Sequence, residues 1–210
     1  MAAMAESSEA RAAVRSYYEQ EAIRQLRRHL VGPRVDWRDA FLDLLHAEER
    51  TSVVDFGAGP GRDGEGFVAA GLRYLGVDLA HGNGVLAAAD GMTIIQASVD
   101  AVPIRSGAFQ AGWSMSTLMH LPEPDAANAA AEMARVLEPG APMMIGMWGG
   151  DMGDRYDTTT IEGEQRLFSQ RPFEVNTAII ANAGAVVEAS RHDIGADDEE
   201  YHLFLVRTGD

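Results

Sequence analysis

No cysteine occurs among the 210 residues. Its absence excludes a disulfide framework, a thiolate zinc site and a cysteine nucleophile, and it fits a reducing, cytoplasmic setting. Basic residues are the next shortage: 17 Lys+Arg stand against 32 Asp+Glu, a formal net charge of −15. A surface this acidic repels phosphate backbones and anionic lipid, and no basic stripe offsets it. Neither nucleic acid nor a membrane surface is therefore an expected partner. Residues 1–9 lack the basic and apolar regions of a signal peptide, and no apolar run is long enough to span a bilayer. Internal repeats, low-complexity tracts and a second-domain boundary are missing too. What remains is 46% hydrophobic and 23% charged, an ordinary soluble composition. The length suffices for one full core with an accessory segment.

The most informative stretch is 51–61, TSVVDFGAGPG. Val53 and Val54 end a short β-branched run that reads as a buried parallel strand. Asp55 closes that run, and Gly57, Gly59 and Gly61 follow at alternate positions. Such a turn lets the backbone pass close to a bulky ligand. In an open α/β sheet, a turn after the first strand lies in the ligand crevice. A second strand, 72–78, ends on Asp78, 23 residues beyond Asp55. A carboxylate there can accept both hydrogen bonds of a ribose diol, which NAD and other adenosine cofactors share. The dinucleotide fingerprint needs a third glycine where this chain has Arg62.

Other elements follow from periodicity. A helix begins near Arg11, with Val14, Tyr18, Ala22, Leu26 and Leu30 recurring every four residues, and Gly32-Pro33 ends it; residues 1–9 are expected to fray. A second helix starts at Asp36 with Trp37, Phe41, Leu44 and Leu45 on one face. Beyond the glycine turn come a helix through Phe67 that Gly71 stops, a weak helix at 83–89 and a third strand at 92–96. A helix from Asp125 to Pro139-Gly140, an apolar fifth strand at 143–148 and a helix at 173–183 come next. Strands 185–189 and 201–207 end the chain, joined by an acidic tip, Asp197 to Glu200. Gly64 and Gly66 in the first turn after the loop each cost about 1 kcal/mol relative to Ala. Either another segment approaches there or the cost is tolerated. The polar segment 149–171 is either a solvated connector or a wall of the acceptor pocket whose acids seat a polar or cationic acceptor.

The pattern Asp-x-Gly-x-Gly-x-Gly resembles the first motif of the class I S-adenosylmethionine-dependent methyltransferases. The stretch 97–124 extends the resemblance without a gap to the small-molecule branch of that family, methyltransferase type 11, which includes the ubiquinone-biosynthesis enzymes. Val102-Pro103 stands for the usual Leu-Pro, Ala108-Phe109 for Ser-Phe, and Leu118-Met119-His120 for Leu-His-His. Ser98, Gln110 and Met119 depart from the pattern, Ser98 replacing the acid that contacts adenine.

The resemblance implies a Rossmann-like, seven-stranded, mostly parallel sheet with helices on both faces and a C-terminal antiparallel strand pair. Residues 1–48 would be an N-terminal helical lid and 49–210 the methyltransferase domain. It further implies S-adenosyl-L-methionine as cofactor. The glycine loop, with Gly57, Ala58, Gly59, Gly61 and Arg62, would wrap its methionine end, with Asp55 near the ammonium. Asp78 and Leu79 would take the ribose, and Ser98, Val99 and Asp100 the adenine. Ser114 and Met115 at the fourth strand's tip, and Tyr18 from the lid, would complete the pocket.

Methyl transfer by direct displacement to an O, N or C nucleophile of a small molecule is the implied reaction, with no metal. His120 is the candidate base, or else a structural histidine beneath the lid; Tyr17 or Tyr18 covers the site, or else simply packs. A non-catalytic cofactor-binding protein and a nicotinamide-dependent oxidoreductase stay open as alternatives. A nucleic-acid amine methyltransferase would carry Asn/Asp-Pro-Pro-aromatic where this chain has Ser114, Met115, Ser116 and Thr117.

Overall fold

The computed structural model describes residues 2–24, 33–158, 161–193 and 200–209. Its strands are β1 (Ser52–Phe56), β2 (Arg73–Asp78), β3 (Ile94–Gln96), β4 (Gly112–Met115), β5 (Pro142–Gly149), β6 (Gly153–Asp157), β7 (Arg166–Gln170), β8 (Ala185–Asp193) and β9 (Glu200–Arg207). Seven of them form one sheet in the order β3-β2-β1-β4-β5-β9-β8, while β6 and β7 pair separately. The first five are parallel, and β9 runs antiparallel to both of its neighbours, β5 and β8. The helices are α1 (Ala2–Ile23), α2 (Pro33–Ala47), α3 (Arg62–Ala69), α4 (His81–Ala89), α5 (Glu123–Arg135) and α6 (Phe173–Ile180). This is the Rossmann-like architecture that the resemblance implies.

Side chains alternate across a strand, and β1 divides its residues accordingly. Val54 and Phe56 join the core under α5 and α6 with Met133, Ile145 and Phe204. Val53 joins the opposite core with Phe41, Leu45, Phe67 and Trp113, under α2 and α3. Asp55 shares the face of Val53, which governs what it can reach.

Several boundaries differ from those read in the sequence. Where the sequence suggests a frayed end, α1 already starts at Ala2; the run of Ala and Glu favours helix, and Ala10 and Val14 are buried. Leu26, Leu30 and Gly32 lie outside the described residues. Pro33 opens α2, a position where its missing N–H costs nothing. At the other end β8 runs to Asp193. Of the acidic tip, Glu200 begins β9 and the rest lies outside the described residues. The segment 149–171 contains β6 and β7, paired from Gly153↔Gln170 to Asp157↔Arg166. The glycines in α3 have a steric cause. A Cβ on Gly64 would lie 2.5 Å from the Tyr74 ring, and one on Gly66 would lie 2.5 Å from Arg38 Nε.

Candidate active site

The chain builds β1, β2 and β3 outward on one side, then crosses over to build β4 and β5 on the other. Ligand crevices open where the strand order reverses in this way, beyond the carboxyl ends of the strands. A cleft occupies that place. Its floor is the turn after β1, in which Gly57, Gly59 and Gly61 all have positive φ (75°, 56° and 81°). Gly57 and Gly59 line the cleft, as do Ala58, Pro60 and Arg62. The loop is held by Thr117, whose Oγ1 donates to the Phe56 carbonyl at 3.0 Å. A Cβ on Gly57 would fall 2.0 Å from that oxygen.

Asp78, at the tip of β2, lines the cleft together with Leu79 and Asn83. One carboxylate oxygen accepts from the Gly59 N–H at 2.8 Å, drawing loop and strand tip together. The other accepts from the Ala80 N–H at 2.9 Å and the Asn83 amide at 3.1 Å. Each carboxylate oxygen has two acceptor sites, so the oxygen that binds Gly59 has capacity for one further donor. Burial raises the Asp78 pKa, while these three hydrogen bonds oppose the rise.

Asp55 does not reach the cleft. Its position in β1 aims it beneath α2 and α3, where it is 2% exposed and accepts the Tyr74 hydroxyl at 3.0 Å. Nearby, the buried carboxylate of Asp63 accepts from Trp113 Nε1 at 3.0 Å and from two nitrogens of Arg34, Nε at 3.0 Å. Burial and the neighbouring Asp63 push the Asp55 pKa up to about 8, against the pull of Arg34 and the Tyr74 hydroxyl. Asp55 thus lies behind the loop in surroundings that favour its protonated form. Three other sequence-predicted residues also stand behind the wall. Gly61 packs toward Met92, and Ser114 donates to the Phe56 carbonyl at 2.9 Å. Asp100 pairs with Arg11 at 2.6 Å and receives the Ser98 hydroxyl. Ser98, Val99 and Met115 do line the cleft.

The roof is α1. Arg11 ties it to Asp100, and Glu19 caps α4 by accepting the N–H groups of His81 (2.6 Å) and Gly82 (2.8 Å), which suits a carboxylate at a helix N-terminus. Tyr18 and His120 meet in the cleft, with Tyr18 Oη 2.7 Å from His120 Nε2. His120 Nδ1 lies 2.7 Å from the Leu167 carbonyl. A carbonyl only accepts, so Nδ1 carries the proton and bare Nε2 accepts the tyrosine O–H. Burial, helped by the Arg166 charge, lowers the His120 pKa to about 4 against the raising effect of that carbonyl. Burial also pushes Tyr18 up to about 12, although Arg166 opposes it. Both groups are neutral at physiological pH. Tyr17 lies fully buried beside this pair.

Sequence reasoning missed Arg11, Arg34, Asn83, Ser116 and Thr117, all of which line the cleft. Ser116 adopts φ 59°, sparsely populated for a non-glycine residue, and its hydroxyl sits 3.0 Å from Tyr201 Oη. The strand-end position of Ser116 and Thr117 was available as a signal; Arg34 carried none. The segment 149–171 contributes no lining residue among those described, and its Asp154 and Asp157 are paired with Arg171 and Arg166. Among the described residues no His/Cys/Asp/Glu cluster could hold a metal ion, and no helix is long and apolar enough to cross a membrane.

Residues 53–140 match a family model described as a methyltransferase domain. An uncharacterized methyltransferase of Mycobacterium avium is 35% identical over 108 residues, 49% of this chain and 42% of the relative. The chain thus matches less than half the length of that relative. Among solved structures, 1,6-didemethyltoxoflavin-N1-methyltransferase of Burkholderia thailandensis has a TM-score of 0.71, covering 97% of this chain and 91% of its own at 21% identity. That structure holds 1,6-didemethyltoxoflavin and S-adenosylhomocysteine. A SAM-dependent methyltransferase of Methanosarcina mazei has a TM-score of 0.70, covering 80% of this chain and 98% of its own at 12% identity. At these identities the likeness is one of fold.

Proposed function

We propose that this chain is a class I S-adenosylmethionine-dependent methyltransferase that transfers a methyl group from S-adenosylmethionine to a nucleophile on a small polar metabolite. In this reading residues 49–210 form the catalytic domain and 1–48 the lid. One observation carries it: the glycine loop with Asp78 and the Tyr18–His120 pair face each other across a single cleft. The residues suit the cofactor. Gly57 and Gly59 leave room for close backbone approach, Asp78 keeps an acceptor site for a ribose hydroxyl, and Val99 offers its backbone beside Ser98 for the adenine. The resemblance places Asp55 near the ammonium, but Asp55 turns away from the cleft toward Tyr74 and is not included in this site.

When bound, the cofactor supplies an already activated methyl group. The protein's own task is then to orient and enclose, which can lower a barrier by roughly 7–11 kcal/mol. The roof α1 excludes water. Tyr18 presents its oxygen to the cleft while its proton rests against His120 Nε2. An acceptor O–H or N–H can pass its proton to that oxygen as the tyrosine proton moves onto Nε2, leaving a cation that the Leu167 carbonyl and Asp157 support. The net charge of −15 favours a neutral or cationic small acceptor over nucleic acid, and a cysteine-free chain suits the reducing cytoplasm.

Calorimetric titration with S-adenosylhomocysteine, with NADH as control, tests the cofactor; methyl transfer from labelled S-adenosylmethionine into a metabolite extract tests the reaction. Binding of the first ligand, label transfer, and a loss of about a hundredfold in turnover for His120→Ala are expected. Binding of NADH alone would overturn the reading. A loss below about fivefold for His120→Ala, well short of the usual acid–base contribution, would remove His120 from the mechanism.

A further inference from the structure

The geometry points to Arg166, braced by Asp157, as a positioning residue that aims the Tyr18 hydroxyl at His120 from outside the main sheet. As a role in turnover this rests on the methyltransferase reading; as a statement about Tyr18 and His120 it does not.

Arg166 and Asp157 are directly opposed in the β6–β7 pair. Arg166 Nε and Nη2 both donate to Asp157 Oδ2, at 3.3 and 3.2 Å, and Nη1 donates to Tyr18 Oη at 2.8 Å. Its guanidinium also lies 4.4 Å from the centroid of the Tyr17 ring. The planar fork is therefore fixed by a cross-strand acid below, an aromatic face at one side and the Tyr18 oxygen at its tip. Lysine offers a point charge on a flexible stem and could not be held at all three places.

The adjoining residue completes the arrangement, since the Leu167 carbonyl receives His120 Nδ1–H at 2.7 Å. Two consecutive positions of one strand thus set both members of the pair: Arg166 grips the phenol, and Leu167 fixes the imidazole tautomer. With Nε2 obliged to accept, the Tyr18 proton must point at it. The Tyr18 oxygen keeps two acceptor sites; Arg166 fills one and the other faces the cleft. Without Arg166 the hydroxyl rotor would be held at one end only.

The charged and titratable groups around the pair are few. Tyr18 faces Arg166, Glu21 and Tyr17, and His120 faces Tyr18, Arg166 and Asp157. Arg166 is the cation among them and disfavours both imidazolium and neutral phenol. Its removal should therefore raise the pKa values of both groups, a change that lost packing alone would not direct.

The test uses the full chain with nitrogen-labelled histidine and carbon-labelled tyrosine, without added ligand, for NMR titration of wild type, Arg166→Met, Arg166→Lys and Asp157→Asn. Wild type should show His120 as the Nδ1–H tautomer, neutral down to about pH 5. Arg166→Met should titrate upward at both groups, and Arg166→Lys should return both toward wild type because it restores the charge. Asp157→Asn should broaden or split the Tyr18 signal as the brace loosens. In turnover, Arg166→Met should lower kcat by about ten- to a hundredfold with KM for S-adenosylmethionine little changed. Arg166→Lys should recover only part of that loss, since the fork geometry is missing.

A folded Arg166→Met with the wild-type tautomer and titrations would overturn the inference. Should that variant not fold, an Arg166→Lys protein with full kcat would overturn it equally. If wild type shows the expected tautomer and shifts but binds no S-adenosylhomocysteine, the positioning role stands and the methyltransferase reading falls.

Discussion

Replacing Asp55 with Asn tests whether the acid behind the glycine loop carries a proton. Asn is close in shape to a protonated carboxyl and still offers the Tyr74 hydroxyl an acceptor. The two proteins therefore differ chiefly where the wild-type group is ionised. In the native state Asp55 is pushed up to about 8, whereas in an unfolded chain an aspartate titrates near ~3.9. Between those values the folded protein holds a proton that the unfolded chain has released. Stability contributed by this group is fully present below the lower value and is lost as pH rises toward the upper one. The slope is on the order of 1 kcal/mol per pH unit for one group, or about 2–3 kcal/mol between pH 5 and pH 7. Asp55→Asn lacks that slope, so its advantage over wild type should grow by the same amount, roughly 5–11 °C in Tm for a chain of this size. Urea unfolding of both proteins at each pH from 5 to 9 reads this directly, because most other titrations cancel in the difference. Parallel stability curves would mean that Asp55 is already ionised at neutral pH and would refute the reasoning. Affinity for S-adenosylhomocysteine should stay within a few-fold, since a neutral acid offers the ammonium no charge.

Gly57→Ala should cost about 2–3 kcal/mol, combining a left-handed backbone for a residue with a Cβ with displacement of the Thr117 hydroxyl from the Phe56 carbonyl; denaturant midpoints measure it. Arg34→Met leaves the buried Asp63 with Trp113 as its remaining neutral donor and should destabilise by about 3–5 kcal/mol. Adding Asp63→Asn should restore more than half of that loss in the same assay. With His120 lowered to about 4, kcat for wild type should show no inflection near pH 6.5, where an unburied histidine titrates; a limb there would place His120 in a wetter site.

The strands that build the cleft were legible because their signals are local. A β-branched run ending in a glycine turn announces β1, and an apolar run ending in Asp78 announces β2. What was not legible depends on which face a side chain takes. Asp55 stands where the motif resemblance implies a ligand-facing acid, yet alternation along β1 sends it under α2 toward Tyr74 and Asp63. Gly64 and Gly66 had no sequence explanation because Tyr74 and Arg38, the groups they accommodate, come from β2 and α2. The β6–β7 pair was hidden for a similar reason. Its polar residues, among them Asp154, Asp157 and Arg166, satisfy one another across strands, so no apolar alternation marked it. Tyr18 and His120 were each singled out, but 102 positions separate them and no spacing rule joins such a pair.

Those separations bear on the order in which the molecule can be made. The tyrosine that roofs the cleft is synthesised 148 residues before its arginine contact. While β1 to β5 are being synthesised, α1 has no β7 to dock against, and its helix lacks the tertiary packing that sustains most helices. A nascent chain halted before β7 would own the glycine loop and Asp78 but not a finished roof. Closure of this long-range pairing is thus a late event in assembling the cleft.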